Sequence, residues 1–351
     1  MKKMLILVAV VSLVAGALIA EEAVLIDFGL LGADTRVGNN ARNYPGDDKT
    51  NDQNQRTLMK FSNVRYPGTF TDEQKNAMEI SLAIQNWEVL LSSSSRTIAN
   101  MVNSFTREAT SKQFGKVMGV RVHFPVEAFN SSALIKPPFE IPAYEPLEEE
   151  GDKDDAADTN TRFEDKYGIL KNVGTIKSVA VNVYGLNFPY GLWTIVQYDD
   201  GDGSQKTLSL AMGNLKFDGW GELRWDNPAY IQEVRNRDLR LYPLYPDSMP
   251  FIKFAGFEVK RDASQVGGDF ITYFKDVKVI YDKAVLDTDR DIDDEGLWKI
   301  IEARETARKL WQMERFGENQ VIRYIDLQKK ATESTFTPTA TNNANANTND
   351  K

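Results

Sequence analysis

Apolar residues that alternate with polar ones, stretch after stretch, constrain this chain more than any other feature. Val179, Val181 and Val183 alternate with Ala180, Asn182 and Tyr184, and Leu208 and Leu210 with Thr207 and Ser209. Leu215 and Phe217 alternate with Lys216 and Asp218, and Val277, Val279 and Tyr281 with Asp276, Lys278 and Ile280. A period of two places one set of side chains on a buried face and the other toward solvent, so these stretches read as half-buried strands. Asp199-Asp-Gly-Asp-Gly203 falls between Trp193–Tyr198 and Thr207–Ala211. Asp-Gly pairs accept the positive φ angles of tight turns, which predicts a β-hairpin there. Gly, Pro, Asn and Asp separate the strands where an α/β chain would have helices, so the pattern predicts a mainly β fold, an antiparallel sandwich.

The N-terminal half shows the same signal less cleanly. Val24–Leu31, Ala77–Leu91, Val117–Phe124 and Ser132–Ile135 are its expected strands, and the polar Thr35–Gln55 is expected to be a long loop. Glu145–Asp158 carries eight acidic residues against Lys153. Self-repulsion and the lack of apolar side chains predict a surface loop, inserted into one sandwich domain spanning 21–330. One C-terminal helix is expected over Asp294–Phe316. Asp293 or Asp294 would cap it, Gly317 would end it, and Leu297, Ile300, Ile301, Ala307, Leu310 and Trp311 would form its apolar face. Leu297, Ile301 and Trp311 are the residues expected to pack on the sandwich. The Thr- and Asn-rich 331–351 reads as a low-complexity tail.

The start of the chain reads as an address. Lys2 and Lys3 precede an apolar run from Leu5 to Ala20, and charge resumes at Glu21 and Glu22. This predicts a secretory signal peptide over 1–20, cleaved after Ala20 or after Ala17, with no later segment to act as a membrane anchor. The chain has no cysteine, which excludes lipid attachment, thiolate metal sites and disulfides. His123 is the single histidine and sits on the polar face of an expected strand, so triads and multi-histidine metal sites have little to draw on. A net charge of −9 without a basic cluster argues against nucleic acid.

Acidic clusters do not rescue a metal or catalytic reading. Asp287-Thr-Asp-Arg-Asp-Ile-Asp-Asp-Glu295 puts Ile292 where an EF-hand needs glycine and Trp298 where it needs the bidentate glutamate. Paired carboxylates for glycoside hydrolysis converge in space and leave no sequence signature to weigh. The stretch Leu215–Ile231 is more informative, since Trp220, Trp225 and Tyr230 lie among Gly219, Gly221, Asp226 and Asn227. Any one of these rings could be core. Together, among turn residues, they predict a contact surface with at least one exposed ring, because such side chains dominate interfaces and stack on sugars.

Four segments resemble the spirochaete flagellar filament outer-layer, or sheath, proteins. They are Gln85-Asn-Trp-Glu-Val-Leu-Leu91; Gly119-Val-Arg-Val-His-Phe-Pro125 with Ser131-Ser-Ala-Leu-Ile-Lys-Pro-Pro-Phe-Glu-Ile-Pro142; Leu215–Ile231; and Tyr273–Lys283 with the acidic Asp289–Glu295. The resemblance implies a jelly-roll sandwich akin to carbohydrate-binding modules, with no catalytic residues and no cofactor. It also implies an exported structural subunit on the periplasmic flagellum, whose partners are core flagellins and other copies of itself. Trp220, Trp225 and Tyr230 are then candidates for contact with the core or with glycans displayed on it. The alternative is a periplasmic carbohydrate-binding module attached to no filament.

Overall fold

The computed structural model describes residues 20–32, 57–59, 70–144, 163–164, 166–199, 205–239, 250–284 and 297–335. In chain order the strands are β1 (Glu21–Asp27), β2 (Glu88–Leu91), β3 (Phe105–Ser111), β4 (Gly115–Phe124), β5 (Ser131–Lys136) and β6 (Ile169–Lys171). There follow β7 (Val173–Leu186), β8 (Gly191–Asp199), β9 (Gln205–Asn214), β10 (Asp218–Asp226), β11 (Phe251–Arg261) and β12 (Gly268–Lys283). The helices are α1 (Asp72–Ala77), α2 (Ile98–Val102), α3 (Tyr230–Leu239) and α4 (Ile300–Thr335). Two antiparallel sheets result. The first runs β10-β7-β12-β4-β3 with β1 also on β12, and the second β2-β5-β11-β8-β9 with β6 also on β11. The chain changes sheet between β1 and β2, β2 and β3, β4 and β5, β6 and β7, β7 and β8, β9 and β10, β10 and β11, and β11 and β12, so both sheets draw strands from either side of residues 145–158.

Alternation becomes burial where the two sheets face each other. On β7, Val179, Val181 and Val183 are fully buried, and on β12 Phe270, Phe274, Val277 and Val279 join them. Phe257 of β11 meets Phe274 of β12 ring on ring, 4.1 Å between centroids. Phe28, Phe254 and Trp87 pack around that pair, and the Trp87 indole donates to the Leu82 carbonyl at 2.9 Å. The expected hairpin is present: β8 and β9 pair up to Asp199 opposite Gln205, while the turn residues 200–204 lie outside the described residues.

Several expectations need correction. Val24–Leu31 is a strand only to Asp27. The Asp27 carboxylate then accepts the Gly29 N–H at 2.8 Å and turns the chain into a 3-10 turn. Ala77–Leu91 is not one strand. Ala77 ends α1, Ile84–Asn86 is a 3-10 turn, and only Glu88–Leu91 pairs in a sheet. A reciprocal cap starts α1: the Gln74 N–H donates to the Thr71 hydroxyl at 3.2 Å, and the Thr71 N–H to the Gln74 side chain at 3.1 Å. Thr35–Gln55, Glu145–Asp158, the proposed caps Asp293 and Asp294, and residues 336–351 lie outside the described residues.

The C-terminal helix is real but longer, and it is turned differently from the expectation. It runs through Gly317 to Thr335. Gly317 is buried, so this glycine marks a turn where the helix backbone lies against the body and does not end the helix. Leu297 is 69% exposed and Trp311 49%, so neither anchors it. Phe316 does, edge-on to Phe139 at 5.8 Å, and Val321 packs with Met78.

Ion pairs supply much of the remaining attachment. Arg308 reaches Asp199 (3.6 Å), Arg315 reaches Glu140 (3.0 Å) and Arg323 reaches Glu88 (2.7 Å), three arginines two turns apart on one helix face. Glu140 also takes the ammonium of Lys253 at 2.7 Å. Lys253 points out of β11 yet is 2% exposed, because the helix covers this side of the second sheet. Burial pushes its pKa down, and Glu140 opposes that shift.

Two predictions follow from this packing. Phe316→Ala should lower stability by about 3–5 kcal/mol in urea denaturation, whereas Trp311→Ala should cost about 1 kcal/mol or less; equal losses would put Trp311 back in the core. The second concerns Asp276 on β12, whose carboxyl is held above the usual range by burial and by the nearby Asp27, against the Asn182 hydrogen bond at 2.6 Å and two lysines. A raised carboxylate pKa means that the folded state binds the proton more tightly. This group therefore favours folding at low pH and loses that contribution as pH rises from the unfolded value through the folded one. Asp276→Asn should be more stable than the native chain at neutral pH, the gap closing as acid protonates Asp276. A gap that stays constant from pH 4 to pH 7 would show that burial does not hold the proton.

Candidate contact surface

The three rings singled out in the sequence go to three different places. Trp220 and Trp225 are five residues apart on β10, an odd spacing that puts them on opposite faces of a strand. Trp225 stands opposite Val179 and turns inward with Leu223 against the core. Trp220 stands opposite Tyr184 and turns outward. Tyr230 begins α3 about 20 Å further along the strand direction. Its hydroxyl donates to the Asp282 carboxylate at 3.0 Å, and the Lys177 ammonium lies 5.7 Å from its ring centre. All three rings are half-buried, so the expectation that at least one of them is exposed is not met.

Trp220 is nevertheless part of a constellation. Its ring meets Tyr184 edge to face at 5.3 Å, and Tyr184 meets Tyr273 in the same way at 5.9 Å. Phe114, from the turn between β3 and β4, closes the other side of Trp220 at 4.9 Å. These residues make a row across three adjacent strands, β10, β7 and β12, on the outer face of the first sheet. The register makes the row, since Trp220 lies opposite Tyr184 and Tyr184 opposite Tyr273. Gly119 on β4 extends it: a Cβ there would stand 3.2 Å from the Tyr273 ring, so the glycine gives that ring its seat.

Beyond the row the same face becomes charged. Arg107 and Arg121 lie 5.2 and 5.9 Å from the Phe105 ring centre. Arg121 binds Asp269 through both carboxylate oxygens, at 3.1 and 3.0 Å, and the His123 Nδ1 lies 2.7 Å from the same carboxylate. The Arg121 and His123 hydrogen bonds hold the Asp269 carboxyl below the usual range. His123 thus sits on the outer face, paired to an aspartate, on the side its strand position predicts. Edge-to-face rings present apolar carbon together with both the face and the rim of the π system. Such a row can pack against protein side chains or the C–H face of a sugar ring. Tyr184, Tyr273 and Phe114 were not singled out in the sequence. The alternation around Tyr184 was visible, but the pairing that aligns it with Trp220 and Tyr273 was not.

The family model of flagellar filament outer layer proteins matches residues 50–290. The flagellar filament outer layer protein of Treponema pallidum is 45% identical to this chain, covering 96% of it and 97% of the relative. That of Spirochaeta aurantia is 43% identical, over 90% and 89%, and that of Borreliella burgdorferi 34%, over 74% of each. Among solved structures, the chain resembles a Clostridium thermocellum xylanase fragment complexed with xylohexaose, at 10% identity and TM-score 0.27, covering 59% of this chain and 28% of that one. It also resembles a xylan-binding domain at 12% identity and TM-score 0.21, covering 57% and 90%. Both contain carbohydrate-binding modules, and the sandwich described above is mainly β with one long C-terminal helix. With a matching family model over most of its length and relatives this similar from end to end, the chain belongs to the flagellar filament outer layer protein family.

Proposed function

We propose that this chain is an exported structural subunit laid around the flagellin core of a periplasmic flagellar filament, and that the Trp220 row is its core-facing contact. The aromatic row on the outer face of the first sheet carries this reading, taken with membership of an outer-layer family. A row fixed by three hydrogen-bonded strands is pre-organised, so binding need not order a loop. The occupant is either core protein surface or a sugar displayed on it, and both suit edge-to-face rings. A layer held at larger radius than the core raises bending stiffness steeply and biases the helical shape of the filament. That work is binding rather than turnover, and it needs no cofactor. The leader-like 1–20 supplies the route to the periplasm.

The test uses core filaments stripped of their outer layer. Trp220→Ala should keep the native circular dichroism spectrum and lose about 2 kcal/mol of binding, roughly a thirtyfold weaker retention in co-sedimentation. Trp225→Ala should mainly lower the unfolding midpoint. A folded Trp220→Ala chain that coats the core like the native one moves the contact face elsewhere. A native chain that fails to co-sediment yet binds glycan favours the free carbohydrate-binding reading.

A further inference from the structure

The long helix covers one end of the second sheet's outer face and leaves the other end open. Lys253 lies under the helix, and Lys260 stands roughly 20 Å further along β11. There Ser132 of β5, Lys260 of β11 and Gly191 of β8 stand side by side, with Leu134, Glu258 and Trp193 in the next outward row. An open depression of about 500 Å³ lies over these strands, a size that suits a small-molecule site.

The half-buried indole of Trp193 lies back along its own strand. A Cβ at Gly191 would stand 2.4 Å from that ring, and Gly191 has no positive φ, so its lack of a side chain serves the ring and not a turn. The residues of the depression also carry polar groups without a partner among the described residues. These are the Trp193 indole N–H, the Ser132 hydroxyl, the Asn130 amide N–H₂, whose oxygen alone is engaged, and one carboxylate oxygen each of Glu258 and Asp262. Donors and acceptors are thus mixed. A simple anion or cation calls for groups of one kind, whereas hydroxyl groups both donate and accept and can use all of them. The Lys260 ammonium lies 4.3 Å from the Trp193 ring centre and 3.1 Å from Glu258. Its side chain is 42% exposed, and both contacts are weak at a surface, so the lysine can turn aside and donate to a bound hydroxyl.

The rim of the depression is held from within. Arg261 is buried, and its guanidinium donates to the carbonyls of Pro125 (2.7 Å), Glu127 (3.0 Å) and Gln265 (2.8 Å). These bonds tie the turn before β5 to the turn after β11, and the Ala263 N–H donates to the Asn130 side chain at 2.8 Å. Asn130 and Asp262 are therefore fixed before anything binds, which spares the cost of ordering them. We infer that this depression binds a saccharide, one pyranose ring stacking on Trp193 while its hydroxyl groups bond Ser132, Asn130 and Glu258. The site shares no residue with the Trp220 row, lies on the opposite outer face, and does not rest on the function proposed above. A glycan on a filament protein and a polysaccharide outside the filament both offer this chemistry.

The experiment is two-dimensional proton–nitrogen NMR on the isotope-labelled chain beginning at Glu21, titrated to millimolar concentration with cellohexaose, xylohexaose or chitohexaose. The chain has 6 tryptophans, each with one indole N–H signal, and Trp193→Phe identifies that of Trp193. At least one hexasaccharide should shift the Trp193 signal. Gly191→Ala drives the ring from its seat and keeps every polar group, while Ser132→Ala with Glu258→Gln keeps the ring and removes polar partners. Both variants should retain the native circular dichroism spectrum and bind at least about tenfold more weakly. A Trp193 signal that none of the three sugars moves, shifts confined to another tryptophan, or either folded variant binding like the native chain overturns the inference. Trp193→Ala then separates the sources: weaker retention on core filaments assigns the sugar to a filament glycan, and native retention with hexasaccharide binding lost assigns it to a polysaccharide outside the filament. Trp220→Ala should leave the titration unchanged, so failure of the core contact and failure of this site are read separately.

Discussion

Phe257 and Phe274 lie face to face at 4.1 Å, and each sits on a middle strand of its own sheet. Everything else in the sandwich is arranged around that closure. Phe28 arrives from the turn after β1 and Trp87 from the segment before β2, and both rings touch Phe254, which in turn packs edge-on to Phe257 at 4.9 Å. Residues far apart in the chain thus converge on one cluster. A large aromatic core gives a cysteine-free chain the burial that a smaller domain would replace with disulfides. It also consumes the inward faces of both sheets, so whatever the protein binds must be met by an outer face or by an added element.

The two outer faces have been treated differently. Over the second sheet lies α4, attached through Phe316 and three arginine–carboxylate pairs. The neighbouring β11 contributes Lys253 to Glu140, which Arg315 also reaches. A buried ammonium is costly unless paired, and the shift of Lys253 toward lower pKa records that cost. The helix is therefore held by carboxylates from Glu88, Glu140 and Asp199 as well as by apolar contact. Over the first sheet the described residues place no helix across the Trp220 row, and only Phe114 of the adjoining turn leans onto it.

Most strands of the C-terminal half were legible from their alternation, and β7, β9 and β12 fall where the period of two put them, but bulges shift the parity of β12 after Phe274, and the alternating Leu215 and Phe217 belong to the turn between β9 and β10. The region before β2 was not. Leu82, Ile84 and Trp87 are buried, so the apolar signal was sound, but it belonged to a coil and a 3-10 turn. Thr71-Asp-Glu-Gln74 carried a capping signature that would have marked the short helix ahead of it. Gly317 misled for a related reason: glycine ends helices when exposed at a left-handed position, but here it is buried and lets the helix approach the body. The aromatic cluster was partly readable. Reading β10 as a strand through Asp226 would have separated Trp220 from Trp225 by parity alone. The alliance of Trp220 with Tyr184 and Tyr273 needed the pairing of β10, β7 and β12, which no single-strand pattern contains.

A subunit that coats a cylinder must satisfy two directions at once, inward to the core and sideways to its neighbours. A two-layer sandwich has opposed outer faces, so a core contact on the first sheet sends the second sheet and α4 to the far side, away from the core. A helix lying there could not reach the core. If the row of rings is the inward contact, as proposed, the helix-covered sheet is left to meet the neighbours or the medium.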